Sequence, residues 1–202
     1  GIEIARVAKR VVPNVKTVFG GVGATYLHEH LLKHFPEVDY CVFGEGEYSF
    51  LRLVRWFETG TGEGPDSIPG IACRKDGRTS LSPRGKPIKN LDELPDPSKY
   101  FTYQHVSLSR GCPGNCTFCG SPDFWDRRVR FHSADYFVNQ LERLHRRGVN
   151  FFYVSDDTFA LKKDLVVEIC RKIIERKLFL SWQAICRVND VDAEVLYWMR
   201  RA

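Results

Sequence analysis

The chain has 202 residues, 43% of them hydrophobic and 27% charged, with a formal net charge of +5. This is a globular composition, long enough for one large or two small domains and unlike that of a disordered or fibrous chain. So small a net charge lacks the basic footprint of a nucleic-acid binder, and the clusters Arg127, Arg128, Arg130 and Arg143, Arg146, Arg147 read as solvated faces. No apolar run approaches the length of a membrane span.

Residues 2–12 repeat apolar positions at helical spacing, and Pro13-Asn14 ends that helix. The chain begins inside this pattern, without a methionine, and is read as a piece of a longer protein. Residues 15–19 (VKTVF) form a short buried strand running into GGVGAT at 20–25, and a helix follows over 26–35 with Thr25 as a candidate N-cap. Residues 39–43 (DYCVF) are a second strand, ending in GEGE at 44–47 before a helix over 48–59. This alternation is the rhythm of a parallel α/β sheet. From Gly60 the texture changes. Residues 68–80 suit a hairpin turning at Asp76-Gly77, and Pro83, Pro87, Pro95 and Pro97 suit an extended linker. The expected domains are therefore 1–60 and 100–202, with hairpin and linker over 61–99.

Beyond the linker, a strand over 105–109 leads into Ser109–Gly120, SRGCPGNCTFCG. A helix capped by Ser133 and closed by Gly148, a strand over 150–154, a helix over 163–177, a strand over 178–186 and a helix over 192–201 follow. Three βα units in series fit part of a TIM-type barrel, whose chemistry sits at the C-terminal strand ends. A closed barrel of this kind takes about six to eight strands, so these residues supply its first half.

Cys112, Cys116 and Cys119 form a C-x3-C-x2-C array on a loop kept irregular by Pro113, Gly114 and Gly120. Structural zinc takes four ligands, and the ferredoxin runs also supply four cysteines. Three thiolates suit a four-iron cluster with one iron left open; a zinc loop borrowing a distant ligand and a chance grouping are the alternatives. The total of seven cysteines is odd, and three have a better use than disulfides, which favours a reducing cytoplasm. Cys41, Cys73, Cys170 and Cys186 read as buried structural thiols. The second barrel strand ends in SDDTF at 155–159. There Asp156 and Asp157 either meet a cation or ammonium group or cap the next helix, Asp157 being the natural cap. Arg187, at the end of the third strand, pairs with a ligand carboxylate or with Asp190 or Asp192. His28, His30 and His34 read as surface histidines rather than metal ligands. Gly21, Gly23 and Tyr26 fail the G-x-G-x-x-G pattern of dinucleotide binding.

The cysteine array, with Phe118 before its last member, resembles the signature of the radical S-adenosylmethionine (radical SAM) enzymes. The resemblance implies that Cys112, Cys116 and Cys119 bind a four-iron four-sulfur cluster whose fourth iron chelates S-adenosylmethionine. It places Phe118 near the adenine, Asp156 and Asp157 at a motif contacting the methionyl amine, and Arg187 facing the methionyl carboxylate. The GGxxAT turn, with Gly20 and Gly21, and the GEGE turn resemble loops near the corrinoid tail in the distal half of a cobalamin-binding Rossmann-like domain. The implied fold is α/β, a partial Rossmann-like domain followed by a partial radical SAM barrel. The implied function is cobalamin-dependent methyl transfer or related C–H chemistry on a small-molecule or natural-product-like substrate, with a reducing partner such as flavodoxin or ferredoxin. A non-catalytic iron–sulfur or zinc module for electron transfer or interaction is the alternative from a different class.

Overall fold

Helix α1 (Ile2–Val11) opens the computed structural model, which describes residues 1–202 in two units, Gly1–Ile88 and Lys89–Ala202. In the first unit, β1 (Val18–Phe19) runs parallel to β2 (Tyr40–Val42), with α2 (Gly21–His34) as the crossover and α3 (Glu47–Thr59) after β2. Strands β3 (Ile71–Lys75) and β4 (Arg78–Leu81) complete a sheet of order β1-β2-β3-β4. Asp76 and Gly77 both have positive φ, 49° and 74°, as a two-residue hairpin turn of this hand requires. Because β3 pairs antiparallel with β2, the hairpin continues the first unit's sheet and is no part of a linker.

The pleat sorts side chains to two faces. Cys41, Phe43 and Ala72 are buried with Ala24 and Leu32 of α2, whereas Val42 and Ile71 are buried with Leu53 of α3 and Ile68. Helix α2 starts at Gly21, five residues before the expected position 26, because Gly21 turns the chain into the helix at φ +81°. Thr25 therefore does not cap it. Its hydroxyl donates to the Gly21 carbonyl at 2.9 Å and accepts from the Gly44 N–H at 3.0 Å, tying the helix to the GEGE turn.

The second unit opens with two short 3-10 turns, Leu91–Glu93 and Pro97–Lys99, each capped by the side chain before it, Asn90 and Asp96. The proline-rich stretch is thus docked rather than extended: Asp92 meets His132 and Ser133, and Asp96 meets Gln140 and Arg143. Then come β5 (His105–Val106), β6 (Ser109–Arg110), α4 (Ser121–Trp125), β7 (Arg130–Phe131), α5 (Ala134–Arg146), β8 (Phe151–Val154), α6 (Lys163–Glu175), β9 (Ser181–Ala184) and α7 (Ala193–Arg201). Strands β5, β8 and β9 form a parallel sheet in that order; β6 and β7 pair as a separate antiparallel ribbon. Helix α5 buries Phe137, Val138, Leu141 and Leu144, spaced for one face, with Phe152 of β8 and Ile169 and Ile173 of α6. Each such side chain contributes about 1.5–3 kcal/mol on burial. Ser133 caps α5 by accepting from the Tyr136 N–H, and Asp192 caps α7 by accepting from the Val195 N–H.

No helix is long and apolar enough to cross a membrane. All seven cysteines are free, Cys41, Cys73 and Cys170 being buried and Cys186 half-buried.

Candidate functional site

The cysteine loop leaves the β6–β7 ribbon at the C-terminal end of β5. Gly111 begins it at φ +101°, where a β-carbon would stand 2.0 Å from the Arg128 carbonyl oxygen, so only glycine fits. The segment between Cys116 and Cys119 is a turn closed by the Cys119 N–H on the Cys116 carbonyl at 3.1 Å. The chain then enters α4, whose Pro122 sits in the first turn, where a missing N–H does no harm. Arg127, just past α4, reaches back to donate to Asn115 Oδ1 within the loop.

Cys112 and Cys116 are half-buried and Cys119 is exposed. Two of their sulfurs already accept backbone hydrogen bonds: Gly114 N–H to Cys112 Sγ and Ser121 N–H to Cys119 Sγ, both at 3.4 Å. Backbone donors to cysteine sulfur are among the features that tune the potential of an iron–sulfur cluster where one is bound. No three His, Cys, Asp or Glu side chains converge as a single ion would require. A tetrahedral zinc ion draws its sulfurs to about 2.3 Å from one centre, whereas a four-iron cluster meets each thiolate on a separate iron. Three cysteines on one loop offer the thiolates that a four-iron cluster takes on three of its irons, whereas a structural zinc ion takes a fourth ligand.

Around this loop lie the other expected residues. Phe118 is 90% exposed, with its ring outside the core. Arg187 makes no ion pair with Asp190 or Asp192, which instead accept from Thr158 Oγ1 at 2.6 Å and Lys163 Nζ at 2.7 Å. Its guanidinium lies against Gly114: a β-carbon there would be 3.1 Å from Arg187 Nη1. Asp156 is buried and accepts from Leu108 N–H at 2.8 Å, Ser107 Oγ at 3.0 Å and Ser109 Oγ at 2.6 Å. Burial pushes its carboxyl above the ordinary value, against the pull of those donors. Asp157 caps no helix; its Oδ2 accepts from Ser121 Oγ at 2.7 Å.

The two histidines bracketing the loop have other partners. His105 Nδ1 lies 3.1 Å from Ser155 Oγ, and His132 Nδ1 lies 2.9 Å from Asp92 Oδ1. Burial lowers the His132 pKa, outweighing the neighbouring Asp92 carboxylate. In the first unit, Gly20 is extended and Gly21 opens α2 with nothing within 4 Å of an added β-carbon, so the helix start is open to solvent. The rings of His30 and His34 lie 4.5 Å apart, tilted by 41°, and His28 Nδ1 donates to the Thr25 carbonyl at 2.9 Å.

Sequence reasoning missed Ser107, Ser109 and Ser121 as partners of the aspartates. Their one local signal is position, since they flank the cysteine array on both sides.

The family model for the B12 binding domain matches residues 2–54, and that for the radical SAM superfamily matches residues 106–201. An uncharacterized methyltransferase of Pyrococcus horikoshii is 34% identical over 98% of this chain and 45% of its own length. The anaerobic magnesium-protoporphyrin IX monomethyl ester cyclase of Cereibacter sphaeroides is 32% identical over 99% of this chain and 36% of its own length. The chain thus spans less than half the length of these curated relatives. Among solved structures, the radical S-adenosylmethionine methyltransferase TsrM from Kitasatospora setae, with cobalamin and a 4Fe-4S cluster bound, shares the fold. Its TM-score is 0.79 over 99% of this chain and 42% of that one, at 18% identity. With both segments matched in order along one α/β chain, this protein belongs to the radical SAM superfamily and carries a B12 binding domain ahead of its radical SAM segment.

Proposed function

We propose that the protein is a cobalamin-dependent radical SAM enzyme in which Cys112, Cys116 and Cys119 hold a four-iron four-sulfur cluster. The observation that carries this is the loop itself: three thiols at the C-terminal end of a parallel strand, two of them accepting backbone N–H groups. A bound, reduced cluster would supply the electron that cleaves S-adenosylmethionine to methionine and a 5′-deoxyadenosyl radical able to take hydrogen from an unreactive C–H bond.

The chain's own residues then bind and orient. Arg187, a permanent cation beside the loop, offers two N–H donors to the methionyl carboxylate. Phe118 presents an aromatic face to adenine, and its exposure leaves that face accessible. The glycine turn at Gly20 and Gly21 presents backbone to the corrinoid tail without side-chain obstruction. Among the relatives, one is named a methyltransferase and another a cyclase. The substrate is a small or natural-product-like molecule, and the electron donor is a flavodoxin- or ferredoxin-type protein of the reducing cytoplasm, where free thiols persist.

Anaerobic reconstitution tests this. About four irons and four sulfides per chain are expected, together with release of 5′-deoxyadenosine on adding dithionite and S-adenosylmethionine. Substituting alanine for Cys112, Cys116 or Cys119 abolishes both. Reconstituted protein that holds a cluster but releases no nucleoside would support an electron carrier instead. Methyl transfer is read by following a labelled methyl group from S-adenosylmethionine to cobalamin and then to product.

A further inference from the structure

The adjacent carboxylates Asp156 and Asp157 were expected at the cofactor, yet each is already committed to a different end of the cysteine loop. Asp156 takes hydrogen bonds from three consecutive residues, Ser107, Leu108 and Ser109, which immediately precede Arg110, Gly111 and Cys112. At 3% exposure and with both oxygens engaged, it has no face left for a ligand. Ser107 Oγ also lies 2.8 Å from the Ser109 carbonyl, so its one proton is shared between that oxygen and Asp156 Oδ1 in a small polar knot at the entry to the loop. Asp157 accepts from the hydroxyl of Ser121 at 2.7 Å, and the backbone N–H of the same serine donates to Cys119 Sγ. Ser121 is the first residue of α4, two positions beyond Cys119.

We propose that Asp156 and Asp157 are positioning residues that clamp the cysteine loop from its two ends: Asp156 fixes the entry through Ser107–Ser109, and Asp157 fixes the exit through Ser121. Side chains alternate across a strand, so neighbouring carboxylates at a strand end point in opposite directions and reach different partners. The end of β8 thereby sets the separation of Cys112 from Cys119, while Asp157 aims the Ser121 N–H at the Cys119 sulfur. Loss of the entry clamp would strand the buried Leu108 N–H and the Ser109 hydroxyl, while Ser107 keeps the Ser109 carbonyl; loss of the exit clamp would release only the hydroxyl of a half-buried serine.

This rests on the loop holding the cluster, but the clamp is measurable without it. In the metal-free chain, hydrogen exchange over residues 107–111 rises about tenfold in Asp156→Ala and residues 119–123 stay at wild-type rates. The pattern reverses in Asp157→Ala. Ser107→Ala, which removes one of the three entry bonds, gives a smaller rise over 107–111 and serves if Asp156→Ala does not fold. After reconstitution, Asp157→Ala retains iron but shifts the electron paramagnetic resonance signal of the reduced cluster in the absence of S-adenosylmethionine. Asp157→Asn, which keeps an acceptor for the Ser121 hydroxyl, restores that signal.

Wild-type exchange at 107–111 in both Asp156→Ala and Ser107→Ala would overturn the entry clamp. An Asp157→Asn protein with an unshifted cluster signal but no response to S-adenosylmethionine would overturn the exit clamp and make Asp157 a direct ligand. A wild-type chain that assembles no cluster would instead refute the functional proposal, leaving the exchange experiment to decide the clamp.

Discussion

The guanidinium of Arg187 rests on Gly114: a β-carbon at Gly114 would lie 3.1 Å from Nη1 of Arg187 and 3.3 Å from the sulfur of Cys112. Both distances are tighter than an ordinary van der Waals contact, so Gly114→Ala forces the arginine, the more mobile of the two, outward. Moving a charge-assisted donor off a carboxylate costs about 1.5–3 kcal/mol, an expected loss in S-adenosylmethionine affinity of about tenfold or more. Iron content should be unchanged. Arg187→Ala should show the same loss, and the double variant no more than Arg187→Ala alone, because both act through one contact. Additive losses in a binding titration would separate the two residues.

Gly111 and Gly148 make a matched pair for backbone effects. Both have positive φ, 101° and 89°, but an added β-carbon at Gly111 meets the Arg128 carbonyl oxygen at 2.0 Å, whereas Gly148 has nothing within 4 Å. Gly148→Ala should cost about 1 kcal/mol, the penalty of the left-handed conformation alone. Gly111→Ala must also push the β6–β7 ribbon apart and should cost about 3 kcal/mol or more, a fall in Tm of about 10 °C. Equal melting temperatures for the two variants would show that the ribbon yields freely.

Phe118 separates binding from stability. At 90% exposure its ring contributes almost no burial, so Phe118→Ala should leave Tm within about 2 °C of wild type. Loss of a stacking face worth about 0.5–1.5 kcal/mol should weaken S-adenosylmethionine binding about two- to twelvefold. Replacement by Trp should retain affinity. A variant that melts early but binds normally would assign the ring to the fold instead.

The cysteine array was readable because its information is local: twelve residues from Ser109 to Gly120 carry spacing, loop chemistry and aromatic neighbour together. Most helices and strands of both units were readable from periodicity, and Ser133 caps where its sequence position suggests. Helix α4 and strand β7 were not, and the single strand expected over 105–109 is two, β5 and β6, in separate sheets, because the chain leaves the parallel sheet at Ser107 to pair with β7. The start of α2 was not, since Gly20-Gly21 looks like a loop until the positive φ of Gly21 is known. The stretch over 89–99 resembled a free linker because its partners are far away in sequence, Asp96 meeting Arg143 across 47 positions. The paired aspartates show a third kind of limit. Their position at the strand end is legible, but which carboxylate turns inward depends on a neighbouring strand 47 to 49 positions earlier.

Asp96 gives the docked segment a pH dependence that can be measured. Its carboxyl is 5% exposed and accepts from Ser98 N–H at 2.9 Å, Ser98 Oγ at 2.6 Å, Gln140 Nε2 at 3.4 Å and the Arg143 guanidinium. Burial alone would raise its pKa; the bonds from Ser98, Arg143 and Gln140 outweigh burial and hold it below the ordinary value of 3.8. A carboxyl whose folded pKa is depressed binds its proton more readily when unfolded. Its stabilisation is therefore full above the unfolded pKa, about 3.9, and is lost as pH falls through the lower folded value. Asp96→Asn removes the charge opposite Arg143, whose side chain is 37% exposed and keeps its bond to Ser98 Oγ, so at pH 7 it should destabilise the second unit by about 1.5–3 kcal/mol, the worth of a hydrogen bond to a charged group. The gap between wild type and variant in urea unfolding should close progressively below about pH 4, because the other carboxylates titrate alike in both proteins. A gap that stays constant from pH 7 to pH 3 would mean that Asp96 supports the fold as a neutral acceptor, with its charge contributing nothing.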